Sequence, residues 1–230
     1  SNLVIKTMFK DLPHIVYNFQ SLVMILSFLV SLKLIKNSII PNYMKGFFWY
    51  PAMGFLVLIP NFLALYFFPI LVFPATTFNN LSVLFHYSFL TIFIINCLPK
   101  KRNIFLIILF VTFLILIIFI LITKPLHNYN ASAFAAANLG ITIFSIIYYF
   151  QLFTNTPKIN LRYEASFWII TGVFFCMSIH IPINGILDFV REKVSFKNLN
   201  LFASIGAFCY GVMHIFFIKA YICSIRPHKP

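Results

Sequence analysis

Charge, and negative charge above all, is what this chain lacks. Of its 230 residues only 9% are charged, and four Asp and Glu stand against 17 Lys and Arg. A soluble domain of this length needs a charged surface, which these residues cannot supply. The long apolar runs have no inside/outside alternation, which excludes a β-barrel. Cysteine is limited to Cys97, Cys176, Cys209 and Cys223. All four lie within or beside apolar runs without metal-ligand spacing, so they read as buried apolar side chains. No cleavable signal peptide is legible, and the opening Ser1-Asn2, without a methionine, reads as a tag scar or trimmed start.

What is there is hydrophobic: 61% of the residues, 31 of them Phe. A bilayer core about 30 Å thick needs roughly 20 apolar residues in a helix. The sequence predicts seven such spans: Ile15–Ile35, Phe47–Phe68, Leu81–Leu98, Ile104–Thr123, Phe134–Thr154, Ala165–Leu187 and Leu199–Tyr221. Lipid offers the backbone no outside partner, so the expected fold is all-α, a polytopic membrane protein with seven transmembrane helices in one bundle. The chain divides into an interfacial N-terminal segment (1–14), the transmembrane domain (15–221) and a short basic tail (222–230). In the first segment Leu3, Val4, Met8, Phe9 and Leu12 alternate with Lys6, Lys10 and Asp11, which suits a surface-lying helix or an ordered leader.

The net charge of +13 does not point to nucleic acid, because the cations sit at helix ends where anionic headgroups meet them. One side of the expected bundle holds Lys33, Lys36, Lys45, Lys100, Lys101, Arg102, Lys158, Arg162, Lys219, Arg226 and Lys229. The other holds Lys6, Lys10, Lys124, Arg191, Lys193 and Lys197. The richer side is expected to be cytoplasmic, which puts the N-terminus outside and the C-terminus inside. The uncharged Pro69–Asn80 connection then faces outside and is expected to dip into the interface.

Polar side chains within the spans are costly there and mark the candidate site. Asn18, Gln20 and Ser21 fall in the outer part of the first helix, Asn61 in the second, His86 and Ser88 in the third. Asn138 opens the fifth, His180 and Asn184 close the sixth, and Ser204 starts the seventh. Asn18, Gln20, Asn61, His86, Asn138, His180 and Asn184 are the candidate ligand-binding residues. They suit a neutral or weakly charged ligand in an outward-opening cavity. Alternatively they hydrogen-bond across helices, at about 0.6 kcal/mol each, and hold the bundle together. The seventh helix carries Ala203, Ala207 and Gly211 on one face, which permits close helix approach. The fourth, apolar all round, is expected to face lipid. Pro51, Pro60 and Pro182 are expected to kink their helices.

Several chemistries are excluded on residues. Ser82 and His86 have the S-x-x-x-H spacing of ceramidase-like seven-helix hydrolases, but the seventh helix offers His214 with Tyr210 where a second histidine would stand. No acid lies in a helix core to act as general base, so neither catalytic residues nor a metal site are expected. Lys219 sits at a helix end and not mid-span, against a retinal protein. Asp11, Glu164, Asp188 and Glu192 all fall at helix ends or in loops, against an ion-driven carrier. No cofactor is implied.

One stretch carries more than composition. From Ile143 the chain reads I-F-S-I-I-Y-Y-F-Q-L-F-T-N-T-P-K-I-N-L, then R-Y-E-A-S-F-W-I-I-T-G-V-F-F. Tyr149–Leu152 and Phe167–Gly172 resemble the fifth-to-sixth helix region of small, uncharacterised seven-helix membrane proteins of Bacteroidota-type bacteria. Ala165-Ser166 stands where those proteins have proline before the Phe-Trp pair. The resemblance implies a sensory or accessory role beside signalling proteins and a bacterial inner membrane; it transfers no catalytic residue.

The leading expectation is therefore a non-enzymatic receptor-like or accessory subunit, sensing a small or lipidic ligand in the outer half. Its partners would be membrane lipids and a protein at the basic cytoplasmic loops Lys33–Gly46, Pro99–Asn103 and Asn155–Glu164, or at the membrane face. A transporter or lipid-handling subunit, and a purely structural subunit, are the alternatives.

Overall fold

The computed structural model describes residues 2–35, 42–47, 49–54, 72–98, 104–126, 128–155, 160–190 and 196–225. Side chains are described for 15–32, 43–47, 49–54, 76–98, 104–126, 128–154, 160–187 and 201–224. The regular elements among these residues are helices: α1 (Asn2–Ile35), α2 (Asn42–Phe47), α3 (Val72–Cys97), α4 (Ile104–Thr123), α5 (Ala131–Asn155), α6 (Ala165–Val190) and α7 (Phe196–Ile225). A helical stretch at 49–54 follows α2, and a single 3-10 turn, Leu161–Tyr163, leads into α6.

Six helices are long and apolar enough to cross a membrane, through Ile15–Leu32, Thr76–Cys97, Ile104–Thr123, Ala131–Thr154, Ala165–Leu187 and Leu201–Ser224. They coincide with six of the expected spans and make the chain a helical membrane protein. The remaining expected span, Phe47–Phe68, lies largely outside the described residues, as does the tail 226–230. The leader and the first span form one continuous helix from Asn2.

α3 begins at Val72, well before the predicted Leu81. Thr76, Thr77, Asn79 and Asn80 depress local hydropathy there, but Asn80 is fully buried and clamps the α4–α5 connection. Its amide nitrogen donates to the Leu126 and Asn128 carbonyls at 2.7 Å each, and its Oδ1 accepts from the Asn130 backbone N–H at 3.0 Å. Asn130 in turn caps α5, its Oδ1 accepting from Ala133 N–H at 3.2 Å. Backbone groups between the end of α4 and the start of α5 are thereby engaged, which is why a polar residue survives in the core.

The packing order is not the sequence order. α7 lies between α1 and α6, α6 between α7 and α5, and α5 meets α3 and α4 as well as α6. Half of the α5 span is buried against 17% of the α4 span, so α5 is central and α4 peripheral. Only Leu106, Ile117 and Leu121 of α4 are buried, in line with a helix turned mostly to lipid.

Glycines set the closest approaches. A Cβ on Gly172 of α6 would stand 2.7 Å from the Phe216 Cβ of α7 and 3.2 Å from the Met213 carbonyl oxygen. A Cβ on Gly211 would meet the Phe19 ring at 2.5 Å, so the small-residue face of α7 receives α1. Phe19 also stacks on Phe208 at 5.9 Å. Gly140 of α5 admits Tyr87 and Phe113 in the same way.

Candidate functional site

The most connected polar side chains inside the bundle come from four elements. Tyr50 enters from the 49–54 stretch, His86 from α3, Cys176, Met177 and His180 from α6, and Tyr210 from α7. The Tyr50 hydroxyl and His86 Nδ1 are 2.9 Å apart, and His86 Nε2 is 3.4 Å from the Met177 sulfur. With the imidazole proton on Nε2, Tyr50 donates to Nδ1 and the ring N–H points at the thioether, a weak acceptor. Both nitrogens are then engaged in the neutral ring.

One turn along α6, His180 Nδ1 donates to the Cys176 carbonyl at 2.8 Å, and the Cys176 sulfur lies 3.6 Å from the same nitrogen. A carbonyl only accepts, so the proton sits on Nδ1 and Nε2 is left as an acceptor. That Nε2 lies 3.0 Å from where a Cβ on Gly206 would stand, and the Tyr210 ring packs edge-on at 4.6 Å. Gly206 is thus what lets the imidazole lie against α7. Below them Phe47, Tyr50, Phe89, Phe93 and Phe217 form a ring cluster with centroids 4.5–5.9 Å apart.

The candidate residues are therefore only partly brought together. His86 has its contacts with Tyr50 and Met177, and His180 has its own with Cys176 and Tyr210, on adjacent turns of α6. Asn184 is buried in the C-terminal part of α6 and accepts from the Tyr129 hydroxyl at 3.2 Å. Asn138 is buried on α5 and makes no hydrogen bond to either imidazole. On α1, Asn18 is exposed and Gln20 half-buried. Asn61 lies outside the described residues. Sequence reasoning missed Tyr50, Cys176, Met177 and Tyr210. Tyr50 adjoins Trp49, an aromatic pair of the kind found at membrane interfaces, yet Trp49 is exposed while Tyr50 is buried. The spacing Cys176–His180, one turn apart on one face, was the available signal.

The end of the bundle expected to be cytoplasmic has its own ordered cluster. Asn160 caps the 3-10 turn through its side chain to Arg162 N–H, and the Arg162 carbonyl accepts from Trp168 Nε1 at 3.1 Å and the Cys223 thiol at 3.5 Å. Lys219 sits 5.6 Å above the Trp168 ring. The Ser166 hydroxyl donates to Glu164 at 2.5 Å and lies 3.2 Å from the Tyr148 hydroxyl. Burial pushes the Tyr43 phenol of α2 up to about 12, with Cys97 and Glu164 adding to the rise.

Glu164 is the only carboxylate among the described side chains. Among the described residues no group of three His, Cys, Asp or Glu has metal-binding geometry. A groove of about 280 Å³ opens between α3 and α4, lined by Leu81, Leu84, Ile118, Leu121, Ile122 and Leu126 with Lys124 at its edge. Comparison with protein-family models, with curated proteins and with solved structures gives no match.

Proposed function

We propose that the chain is a non-enzymatic, receptor-like or accessory subunit of a bacterial inner membrane. In this reading the bundle has seven helices, with the N-terminus outside and the C-terminus inside. A small neutral or lipidic molecule is sensed at the polar core, and its presence is passed to a partner protein at the basic cytoplasmic loops. The observation that supports the reading is a pair of buried polar contacts that share α6: Tyr50 and Met177 on His86, and Tyr210 on His180 one turn further along. Among the described side chains no carboxylate is bonded to these groups, and neutral donors and acceptors favour recognition over proton-transfer chemistry. The network is well placed to report occupancy. A ligand that takes the Tyr50 or Met177 contact of His86 alters how α3 meets α6, and α6 begins at the Glu164–Trp168 cluster.

The α3–α4 groove favours a second reading, a lipid-handling subunit, because its apolar walls and the Lys124 ammonium suit an acyl chain beside an anionic headgroup. Proteoliposomes containing this chain alone separate the two. Transbilayer movement of a fluorescent phosphatidylglycerol is expected to equal that of empty vesicles; protein-dependent movement would replace the receptor reading. His86→Ala and His180→Ala are each expected to abolish ligand response at normal expression, and an unchanged response in both removes the polar core as the sensor.

A further inference from the structure

We infer that the seam between α5 and α6 is a second polar site, distinct from the imidazole network, which holds a small hydroxylic ligand, water or a lipid hydroxyl, on Asn138, Thr142 and Ser178. Four atoms carry it. Asn138 Nδ2 and Oδ1, Thr142 Oγ1 and Ser178 Oγ are all buried without a protein hydrogen-bond partner. Asn138 as a residue is 1% exposed.

Helical geometry puts them together. The Tyr149 hydroxyl on α5 donates to Thr171 on α6 at 2.8 Å, and the Tyr149 ring packs edge-on against Phe174 at 5.7 Å. At about 100° per residue, Asn138, Thr142 and Ser145 share the face of Tyr149. The face carrying Gly140 is about 200° away from Asn138 and meets Tyr87 and Phe113 instead. On α6, Ser178 lies on the face of Thr171 and Phe174, two turns and one turn further along. Since the helices run antiparallel, Thr142 falls level with Ser178, and Asn138 with the turn at Pro182.

The hydroxyls depart from a pattern common in the bundle, as do Ser27 and Thr91. Thr112, Thr123, Ser145, Thr154, Thr171 and Ser224 each donate to the carbonyl four residues earlier, at 2.7–3.0 Å. Thr142 and Ser178 do not; their oxygens are turned elsewhere. Pro182 lies within α6 and has no N–H to return to the Ser178 carbonyl, which adds one more open acceptor at the same level. The seam thus presents amide donors, hydroxyls and acceptors in surroundings where an open polar group is costly. A carboxamide beside two hydroxyls pairs best with a neutral group that both donates and accepts, which is the chemistry of a hydroxyl.

The experiment is solid-state NMR on the full chain with 15N-labelled asparagine, in liposomes of phosphatidylcholine alone or with phosphatidylglycerol. The Asn138 amide is assigned by its loss in Asn138→Leu. Magnetisation transfer from bound water to that amide in both lipids identifies water; transfer appearing only with phosphatidylglycerol identifies the lipid hydroxyl. Thr142→Val and Ser178→Ala are expected to lower Tm by about 2–4 °C each, with Thr142→Ser restoring it. An open hydroxyl predicts the reverse, since removing it relieves an unsatisfied group. Absent transfer in both lipids, with Tm unchanged or raised in the two variants, would overturn the inference. The proposed sensing role does not depend on the outcome.

Discussion

Replacing Gly172 by Ala adds one methyl group where α6 and α7 touch most closely. The new Cβ would sit 2.7 Å from the Phe216 Cβ and 3.2 Å from the Met213 carbonyl oxygen. Carbon atoms pack at about 3.5–4.0 Å, so a separation of roughly 1 Å has to open between the two helices. Rotating Phe216 does not help, because its Cβ is fixed to the α7 backbone. Overpacking of this kind costs about 1–3 kcal/mol. Against it stands the helix preference of Ala over Gly, at most about 1 kcal/mol, so the balance is destabilising. Gly185, on the same helix, has nothing within 4 Å of a new Cβ. Gly185→Ala is therefore expected to be neutral or stabilising. Thermal unfolding in liposomes, followed by the fluorescence of Trp168 beside Phe216, measures both. Equal Tm values for Gly172→Ala and Gly185→Ala would refute the proposed α6–α7 contact.

Asn80→Ala removes three hydrogen bonds to the α4–α5 connection and is expected to cost on the order of 3 kcal/mol, with proteolysis near Asn128 as a second readout. Tyr50→Phe leaves the ring cluster intact and deletes only the bond to His86; a loss of about 1 kcal/mol is expected, and the 15N shift of His86 Nδ1 should move with it. Tyr43 carries a pH prediction. Its phenol is held up to about 12 in the fold against about 10 in an unfolded chain, so the neutral fold is fully favoured below pH 10. Stability is then lost as pH rises from about 10 to 12, and Tyr43→Phe should lose less than the parent over that interval, which urea titration at pH 9 and 11.5 measures.

Hydropathy made six spans legible because an apolar run of membrane length has few other uses, and the ends of α4 agree to the residue. It failed at the start of α3, where Asn79 and Asn80 look like loop and Asn80 serves as a buried clamp. Hydropathy averages over a window and does not register that one amide can satisfy three backbone groups. The same limit governs the candidate site. Depth along a helix is readable from sequence, but rotation about its axis is not. His86, Asn138 and Asn184 all fall at polar positions of the spans, yet His86 faces Tyr50 and Met177, Asn184 meets Tyr129, and Asn138 is buried without a protein partner. Tyr50 was hidden because the sequence places it beside Trp49 at an interface, whereas a helical turn of about 100° per residue sends neighbours to different faces.

Native mass spectrometry of the chain released from its own membranes, as parent and as His86→Ala, tests the central proposal most directly. The account predicts that the parent carries a stoichiometric partner protein and a retained small molecule or specific lipid. It predicts that the variant keeps the partner and loses the retained molecule. A parent that emerges alone and unloaded, indistinguishable from the variant, would contradict it.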